Sequence, residues 1–593
     1  MVAVALGTLA ATQIDTRGVA DLGLIEVVGP AFFLALVVLT VGFAWTVVHQ
    51  PGRSGLLTAY VAALVYVLDG VPALAESDPR FPTAWLHAGF VEYIARTGST
   101  LPKLDGRFSW PGAFSLFGLL AKAGGVDSAV SLIRWTPLVV TLLLVVPLRM
   151  IFDSVTRDAR ACWLGIWLFF LVNWVGQDYL SPQAVGFLLF VAFIGIVVRY
   201  FGPESSDRIP RRSSARPTRL RDWWVTLGSP GEVPVPTLTS PARRMLVATL
   251  IALFGAMVVS HPLTPLFALG GLTALVLTRR CPLRWLPVLL AIMWLGWFWF
   301  GAAEFRATHL GSVTAGLGSL GGNANSAIGA RFGSNVARTF VLSMRVASVA
   351  TLAAAAFVGF IRRRRAGHHE WSMALLAIAP VPAIALSSYG GEVALRIFLF
   401  SLPFAAILAA MAWLPLPAAV GSGIPRPAAA TPGAPSRCSI GALAVTGLVL
   451  ATVFMLIRYS NERFEQVLPE ERHAVQYVYD HARTGDTLVA INAAIPWRDR
   501  FLERFDYETF SVPAMARGQT RQLEEFIRAV TRPGARAFFV ATPAQAGYDE
   551  LINGYRHQWL TSLRRGLNRS ACFEPAFRER NAFVYRFTCI GRQ

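Results

Sequence analysis

The sequence predicts a polytopic α-helical membrane protein with about twelve transmembrane helices and a C-terminal extracytoplasmic α/β domain. Three observations lead to this fold class. The 593 residues are 54% hydrophobic and only 15% charged, which is far from the composition of a soluble domain. Long apolar runs recur as far as Ile457. From about Asn461 onward the pattern changes to short amphipathic helices and strands.

The apolar runs approach the roughly 20 residues that a hydrocarbon core of about 30 Å requires. They predict spans near Ile25–Val48, Leu56–Ala75, Trp135–Phe152, Cys162–Val175, Ala184–Tyr200, Leu246–Ser260, Pro262–Leu277, Trp285–Phe300, Phe340–Ile361, Trp371–Ser387, Ala394–Trp413 and Ile440–Ile457. The fourth and sixth runs are short, as in tilted or broken helices. Residues 1–460 are therefore predicted as the transmembrane domain, and residues 461–593 as the extracytoplasmic domain.

The charge pattern sets the orientation. Lys and Arg number 54 against 35 Asp and Glu, a formal net charge of +19. The arginines cluster in short loops between apolar runs, which is typical of membrane topology and argues against nucleic acid as a partner. The arginine-rich segment Arg208–Arg221 is predicted to be cytoplasmic. Alternation from there places Arg362–Arg365 inside, and it places everything after Arg458 outside the plasma membrane.

The C-terminal region predicts helices near Glu470–Arg483, Arg521–Thr531 and Gln545–Arg565, and strands near Thr487–Asn492, Ala535–Thr542 and, as a pair, within Cys572–Cys589. If Arg580 and Asn581 form a two-residue turn, Glu579 faces Ala582 and Cys572 lies opposite Cys589. A disulfide is then feasible and fits an oxidising compartment. The alternative is a pair of unpaired core cysteines.

The loop after the second predicted span, Glu76–Arg134, is called here the outer loop. It begins with a cluster of acidic residues in a chain where such residues are scarce. The spacing of Leu86, Phe90 and Ile94 predicts a short helix lying flat on the membrane, with its carboxylates turned to water. Glu92, four residues before Arg96, is positioned to pair with it.

Polar residues at the outer ends of the spans are the candidate site, because ionisable groups near a membrane are costly and are often functional. They are Asp69, Glu76, Asp78, Arg80, His87, Gln177, Asp178, His261, Glu392 and Arg396. Structural roles compete with ligand roles for several of them. Glu392 and Arg396 can pair along one helix, and His261 can cap a turn between two spans. Asp78 and Asp178 can be solvated carboxylates.

Several familiar motifs are absent from the sequence. It contains no Gly-x-x-x-x-Gly-Lys-Ser/Thr loop, no His-Glu-x-x-His and no Gly-x-Ser-x-Gly elbow. An ATP-driven pump, a zincin and a hydrolase of the elbow type are therefore not favoured.

The layout of many spans, an acidic outer loop with a surface helix, and a C-terminal extracytoplasmic domain resembles the C-type glycosyltransferase superfamily. The stretches Asn-Trp-Val-Gly-Gln-Asp-Tyr-Leu-Ser-Pro-Gln (173–183) and Tyr-Gly-Gly-Glu-Val-Ala-Leu-Arg (389–396) are similar to those of actinobacterial membrane proteins of this type. In that superfamily the acidic loop follows the first span, whereas here it follows the second.

The resemblance implies a membrane glycosyltransferase, adding a hexosyl or pentosyl group from a polyprenyl-phosphate donor to a cell-envelope glycan, lipid or protein on the outer face. By resemblance, Asp78 is the predicted general base, with Glu76 as the second choice. Arg396, Arg80 or a divalent cation would neutralise the leaving phosphate. The sequence does not decide whether a divalent cation is a cofactor. Asp78 and Asp178 could share one, but carboxylates alone are a weak indication of a metal site.

Two other classes remain open at this stage. A lipid or polysaccharide transporter or flippase would also place polar groups in a bundle of spans, but at mid-membrane depth. A non-catalytic envelope scaffold would use the C-terminal domain for binding and leave the outer carboxylates dispensable.

Overall fold

The computed structural model describes residues 1–202, 231–314, 335–368, 371–385, 392–414, 437–510 and 519–590. The predicted cytoplasmic segment Arg208–Arg221 lies outside these residues. Within them, eight helices are long and apolar enough to cross a membrane. These are Pro30–His49, Ser54–Ala75, Thr136–Asp153, Pro182–Tyr200, Ser240–Ser260, Val336–Arg365, Val393–Trp413 and Ile440–Arg458.

Shorter apolar helices accompany the long ones: Val2–Ala11, Gly112–Ala123, Ala159–Val172, Thr264–Leu277, Leu286–Gly301 and Ser372–Ala385. The last four of these lie at the four predicted spans that the long helices do not account for. The chain is therefore a mostly helical protein with multiple candidate spans, and the count of about twelve stays a prediction.

The two ends of the helical bundle differ in character, as the 30-residue helix Val336–Arg365 shows. At its start, Arg338 Nη1 donates to the carbonyl oxygen of Leu551 in the C-terminal region at 3.4 Å. At its end, Arg363 Nη2 donates to the carbonyl oxygen of Val155 at 2.8 Å. A helix of this length extends about 45 Å. We call the end near the C-terminal region the domain face, and the opposite end, where Arg362–Arg365 lie, the arginine face.

The C-terminal region contains a five-stranded sheet in the order β2-β1-β3-β5-β4. The strands are β1 (Thr487–Ala490), β2 (Asp506–Thr509), β3 (Ala537–Ala541), β4 (Phe573–Glu579) and β5 (Ala582–Phe587). Strand β1 is parallel to β2 and β3, and β5 is antiparallel to β3 and β4. Helices Pro469–His481, Gln519–Val530, Pro543–Ile552 and Trp559–Leu567 complete the α/β arrangement. The predicted division at residues 460 and 461 stays a prediction.

The sequence missed β2 and predicted one helix over Gln545–Arg565 where two are found. The four residues of β2 are half-buried or exposed and offer little apolar pattern. The first helix ends at Ile552, and Gly554 with a φ of 71° and Gln558 with a φ of 66° then lie in the left-handed region, which does not continue a helix.

The hairpin of β4 and β5 begins in the predicted register, with Glu579 opposite Ala582. A bulge between Pro575 and Phe577 then shifts the pairing, so that Phe573 lies opposite Phe587. The register predicted for the far end of the hairpin is therefore wrong by one residue. Cys572 and Cys589 are nevertheless joined by a disulfide, with Cα atoms 5.0 Å apart, and the predicted bridge is confirmed.

Candidate functional site

The outer loop starts at the domain face and contains the helix Pro82–Thr97, called here the loop helix. Pro82 stands in its first turn, where the missing N–H costs nothing, and Phe81 turns the chain with a φ of 73°. Trp85 Nε1 donates to the Pro79 carbonyl at 2.9 Å, which fixes the entry to the helix. As predicted, Glu92 and Arg96 pair, at 2.7 Å.

Glu76 is not turned to water, and that expectation was wrong. Only 4% of the residue is exposed, and its Oε1 lies 3.7 Å from Arg80 Nε. The same guanidinium reaches both Glu462 and Glu465 at 2.7 Å. Burial, and then the nearby Glu462 carboxylate, raise the pKa of Glu76 well above its ordinary value, against the opposing effect of Arg80.

Asp69 lies in a π-helical turn, Tyr66–Gly70, inside the span Ser54–Ala75. Such turns occur mostly as single insertions and frequently at functional sites. The Tyr459 hydroxyl donates to the Leu68 carbonyl at 2.7 Å and lies 3.3 Å from Asp69 Oδ1. Tyr459 also stacks against the Arg80 guanidinium, with 4.6 Å from Cζ to the ring centroid. Asp69 and the Arg80 cluster are thereby joined.

A small cavity of about 30 Å³ lies within this cluster and is lined by Asp69, Glu76, Arg80, Arg134 and Arg458, among others. Arg134 holds the backbone that forms one wall. Its guanidinium donates to the carbonyl oxygens of Ala73, Glu76 and Ser77 at 2.7, 2.8 and 2.7 Å. Arg134 is thus a positioning residue for the start of the outer loop.

Asp78 and His87 lie outside the lining of this cavity. The Asp78 carboxylate pairs with Arg472 of the C-terminal region at 2.9 Å, and its side chain is 14% exposed. It is therefore a bridge between the outer loop and the C-terminal region rather than a solvated carboxylate. His87 is buried, and its Nδ1 donates to the Leu180 carbonyl at 2.8 Å. Burial and the charge of Arg107 lower the pKa of His87 to about 3.

Gln177 and Asp178 connect the cavity with a second polar group. Asp178 pairs with Arg458 at 2.6 Å, and Gln177 Oε1 accepts from Arg396 Nη1 at 2.6 Å. Arg396 also pairs with Glu392 at 2.8 Å, as the structural alternative predicted. Asp178 is only 11% exposed, so it is not a solvated loop residue.

His261 has the capping role that the sequence left open. Its Nδ1 accepts from the backbone N–H of Leu263 and of Thr264, at 3.3 and 3.2 Å, and is 3.0 Å from the Thr264 hydroxyl. Burial, followed by the charge of Arg396, lowers its pKa well below the ordinary value. His261 is thus a neutral hydrogen-bond acceptor at the turn between two candidate spans, and the positive charge of the nearby Arg396 contributes to its lowered pKa.

A divalent cation bound by Asp78 and Asp178 finds little support in their surroundings. Each carboxylate is paired with an arginine, as given above. In the part of the chain that the structure describes, no three His, Cys, Asp or Glu residues are grouped so as to hold a metal ion.

Sequence reasoning missed the residues that complete the cluster, Arg134, Arg458, Tyr459, Glu462 and Glu465. The last four belong to the stretch Arg-Tyr-Ser-Asn-Glu-Arg-Phe-Glu (458–465), directly after the final span. Its density of charge next to a span was an available signal. The stretch was interpreted only as the boundary of the C-terminal domain.

A scan against protein-family models finds no match for this chain, and a comparison with curated proteins finds none. Solved structures do resemble it. ArnT from Cupriavidus metallidurans, bound to undecaprenyl phosphate, is 13% identical, with 92% of this chain and 100% of that chain covered at a TM-score of 0.46. The arabinofuranosyltransferase AftD from Mycobacteria is 13% identical, with 90% and 39% covered at 0.45.

The archaeal oligosaccharyltransferase AglB from Archaeoglobus fulgidus, in complex with an inhibitory peptide and a dolichol-phosphate, is 10% identical, with 90% and 74% covered at 0.48. TM-scores below 0.5 do not support the transfer of residue roles from these structures, so the roles of residues in this chain are inferred from its own geometry.

Proposed function

We propose that this protein is a plasma-membrane glycosyltransferase that moves a sugar from a polyprenyl-phosphate donor to a cell-envelope glycan, lipid or protein outside the cytoplasm. The observation that carries the proposal is the group of carboxylates and guanidinium groups at the domain face, which includes Asp69 and Arg80 at the cavity, Asp78 in the outer loop, and Arg396 beside Gln177. Glycosyl transfer from a lipid phosphate needs a base for the acceptor hydroxyl and positive charge for the leaving phosphate.

The orientation is supported by two independent features. Arg362–Arg365 end the longest helix at the arginine face, and by the positive-inside rule that face is cytoplasmic. The C-terminal domain, at the other end, contains the Cys572–Cys589 disulfide, which persists in an oxidising compartment. The domain face, with the cavity and the predicted site, is therefore proposed to lie outside the cytoplasm.

The base is proposed to be a carboxylate of the outer loop or its adjoining span. Asp78 remains the first choice for the base. It follows Glu76 by two residues in the outer loop, and Arg472 is the one ionic partner described for its carboxylate. Glu76, whose pKa is raised by burial, is better suited to hold a proton than to accept one. Asp69 competes with Asp78 because it lines the cavity directly.

The cation for the leaving phosphate is proposed to be Arg396 rather than Arg80. Three carboxylates already surround Arg80, so a phosphate would meet their combined negative charge. Only 7% of the Arg396 side chain is exposed, whereas its partner Glu392 has a side chain that is 42% exposed. A partner that is nearly half in water can be displaced at little cost. The lipid tail would remain between spans while its head group reaches this point.

The test is sugar transfer from a panel of polyprenyl-phosphate sugars by the purified protein in nanodiscs. Asp78→Asn should lower turnover by roughly the 10²–10⁴ that a general base supplies. Arg472→Gln is the matched control, because it breaks the same ion pair and leaves the carboxylate in place. If Arg472→Gln is as inactive as Asp78→Asn, the ion pair matters rather than the base. Full activity of Asp78→Asn would move the role to Asp69, to be tested as Asp69→Asn.

The donor site has its own prediction. Arg396→Ala should raise KM for the lipid donor more than it lowers kcat, since it removes a charged partner of the phosphate. No transfer with any lipid-linked sugar, together with measurable lipid translocation, would replace the transferase by a flippase. For orientation, a single cysteine at Arg565 should react with an impermeant maleimide in intact cells, and one at Arg365 should not.

A further inference from the structure

A large cavity, separate from the predicted site, lies between the N-terminal segment and the C-terminal region. It has a volume of about 780 Å³ and opens between the N-terminal segment around Arg17 and the helices Pro543–Ile552 and Trp559–Leu567. We call it the groove. Cavities of roughly 300–1,000 Å³ are typical of small-molecule sites.

Several charged side chains of the groove pair with one another. Arg17 forms a bidentate pair with Glu470, at 3.0 and 3.1 Å. Glu550 binds Arg463 and accepts from His557 Nδ1 at 3.0 Å. The groove is thus lined by charges of both signs. A phosphate or nucleotide would meet the carboxylates of Glu470, Glu471 and Glu550 as well as the arginines.

Glu471 at the base of the groove is likewise fixed. Its carboxylate accepts from the backbone N–H of Leu468 at 3.1 Å and of Ala544 at 2.7 Å. The groove therefore has a preformed floor that requires no ligand to order it.

Gln466 is the exception to this pairing. The residue lines the groove and is 7% exposed, and its Oε1 is buried without a hydrogen-bond partner in the described structure. Buried acceptors are almost always satisfied, so one that is not calls for an explanation. A ligand hydroxyl that reached this oxygen from the groove would supply the missing donor.

We propose that the groove binds a saccharide. Its lining mixes hydrogen-bonding groups (Gln466, Thr561, Asn581) with apolar surface (Leu468, Leu560, Phe583). A sugar presents hydroxyl groups that both donate and accept, next to apolar C–H faces, and it needs no excess of either charge. A lipid tail would leave the polar groups unpaired, and the three carboxylates that line the groove disfavour a phosphate-rich ligand.

The groove is joined to the predicted site through the four-residue helix Glu462–Glu465, which we call the junction helix. Glu462 and Glu465 on this helix reach Arg80, whereas Arg463 and the following Gln466 line the groove. If the proposed function holds, the saccharide is part of the acceptor, held on the other side of the junction helix from the Arg80 cluster. Binding itself does not depend on transfer.

The test uses the full chain in nanodiscs and saturation-transfer NMR with four hexasaccharide probes, built from glucose, mannose, galactose or arabinose. At least one probe should bind to the wild type. Gln466→Leu should weaken that binding about tenfold, because a buried hydrogen bond is lost, and Gln522→Leu, an exposed change outside the groove, should leave it unchanged. Thr561→Trp, which fills the groove from its rim, should abolish binding.

The intact disulfide and an unchanged melting temperature serve as the folding control for both groove variants. Absence of binding by all four probes overturns the proposal. So does binding that Gln466→Leu and Thr561→Trp leave untouched, since the saccharide would then sit elsewhere. Asp78→Asn should bind as the wild type does. Saccharide binding without any sugar transfer would retain the groove and remove the transferase, whereas transfer without binding would do the reverse.

Discussion

His87 predicts a pH-dependent opening of the loop helix. The ordinary pKa of 6.5 falls to about 3 in the folded protein, through burial and then the charge of Arg107. The folded state thus holds fewer protons than the opened state between these values, and stability is lost as the pH falls below 6.5. Between pH 7 and pH 5 the opening equilibrium should rise about 25-fold, equivalent to about 2 kcal/mol.

The assay is hydrogen exchange of the Pro82–Thr97 amides, corrected for the intrinsic pH dependence of exchange. A local readout is needed because other groups titrate in the opposite sense. Asp499, whose backbone packs closely against Gly89 of the loop helix, has its pKa raised to about 6 by burial. It therefore favours the closed state as the pH falls, and the histidine effect has to be isolated by a variant.

His87→Gln supplies that comparison, because an amide can still donate toward Leu180 but does not titrate. The ratio of opening between wild type and this variant should change about 25-fold from pH 7 to pH 5. His481→Gln, an exposed histidine of the C-terminal domain, is the control and should keep the wild-type dependence. Equal pH dependence in wild type and His87→Gln would refute the reasoning, since the histidine would then not be held neutral.

Three further predictions concern the scaffold. Burial raises the pKa of Glu471 to about 7. The contribution of Glu471 to the free energy of unfolding is therefore full below pH 4.5 and falls by about 3 kcal/mol as the pH rises to 7. Glu471→Gln should remove this pH dependence from a profile of unfolding free energy against pH. Arg134→Met should reduce transfer activity more than Arg134→Lys, because lysine retains part of the bonding to the outer-loop carbonyls, and exchange of Ala73–Ser77 should report the released loop. Cys572→Ser should lower the free energy of unfolding by about 3 kcal/mol, the effect expected for a loop of this length, and non-reducing mass spectrometry should show the bridge in the wild type.

Hydropathy was sufficient to locate the candidate spans, because lipid exposure demands an apolar run whatever the partner helices are. It was least informative about helix length. The sixth predicted span, Leu246–Ser260, is part of the 21-residue helix Ser240–Ser260. Arg243 and Arg244 interrupt the apolar pattern in its first turns without interrupting the helix, since arginine is a good helix former.

The candidate site was predictable in position but not in pairing. The sequence indicated that Asp69, Glu76 and Arg80 reach one face, since a span fixes which of its ends they occupy. It did not indicate that Arg80 would be enclosed by Glu462 and Glu465, because these lie more than 380 residues along the chain and no local periodicity links them. The burial of His87 was also not predictable. The loop that contains it is polar and was expected at the surface, but the His87 ring packs against Tyr179 and Phe114.

The junction helix explains why the missed residues matter. It directly follows the final span, so its position is fixed by the membrane on one side and by the C-terminal domain on the other. Arg80 binds Glu462 and Glu465 there, and the backbone N–H of Leu24 donates to the Tyr459 carbonyl at 3.1 Å just before it. A shift of the C-terminal domain would therefore pull on the carboxylates around Arg80. The outer loop and the groove thus meet at one short element, whose residues contact Arg80 on one side and line the groove on the other.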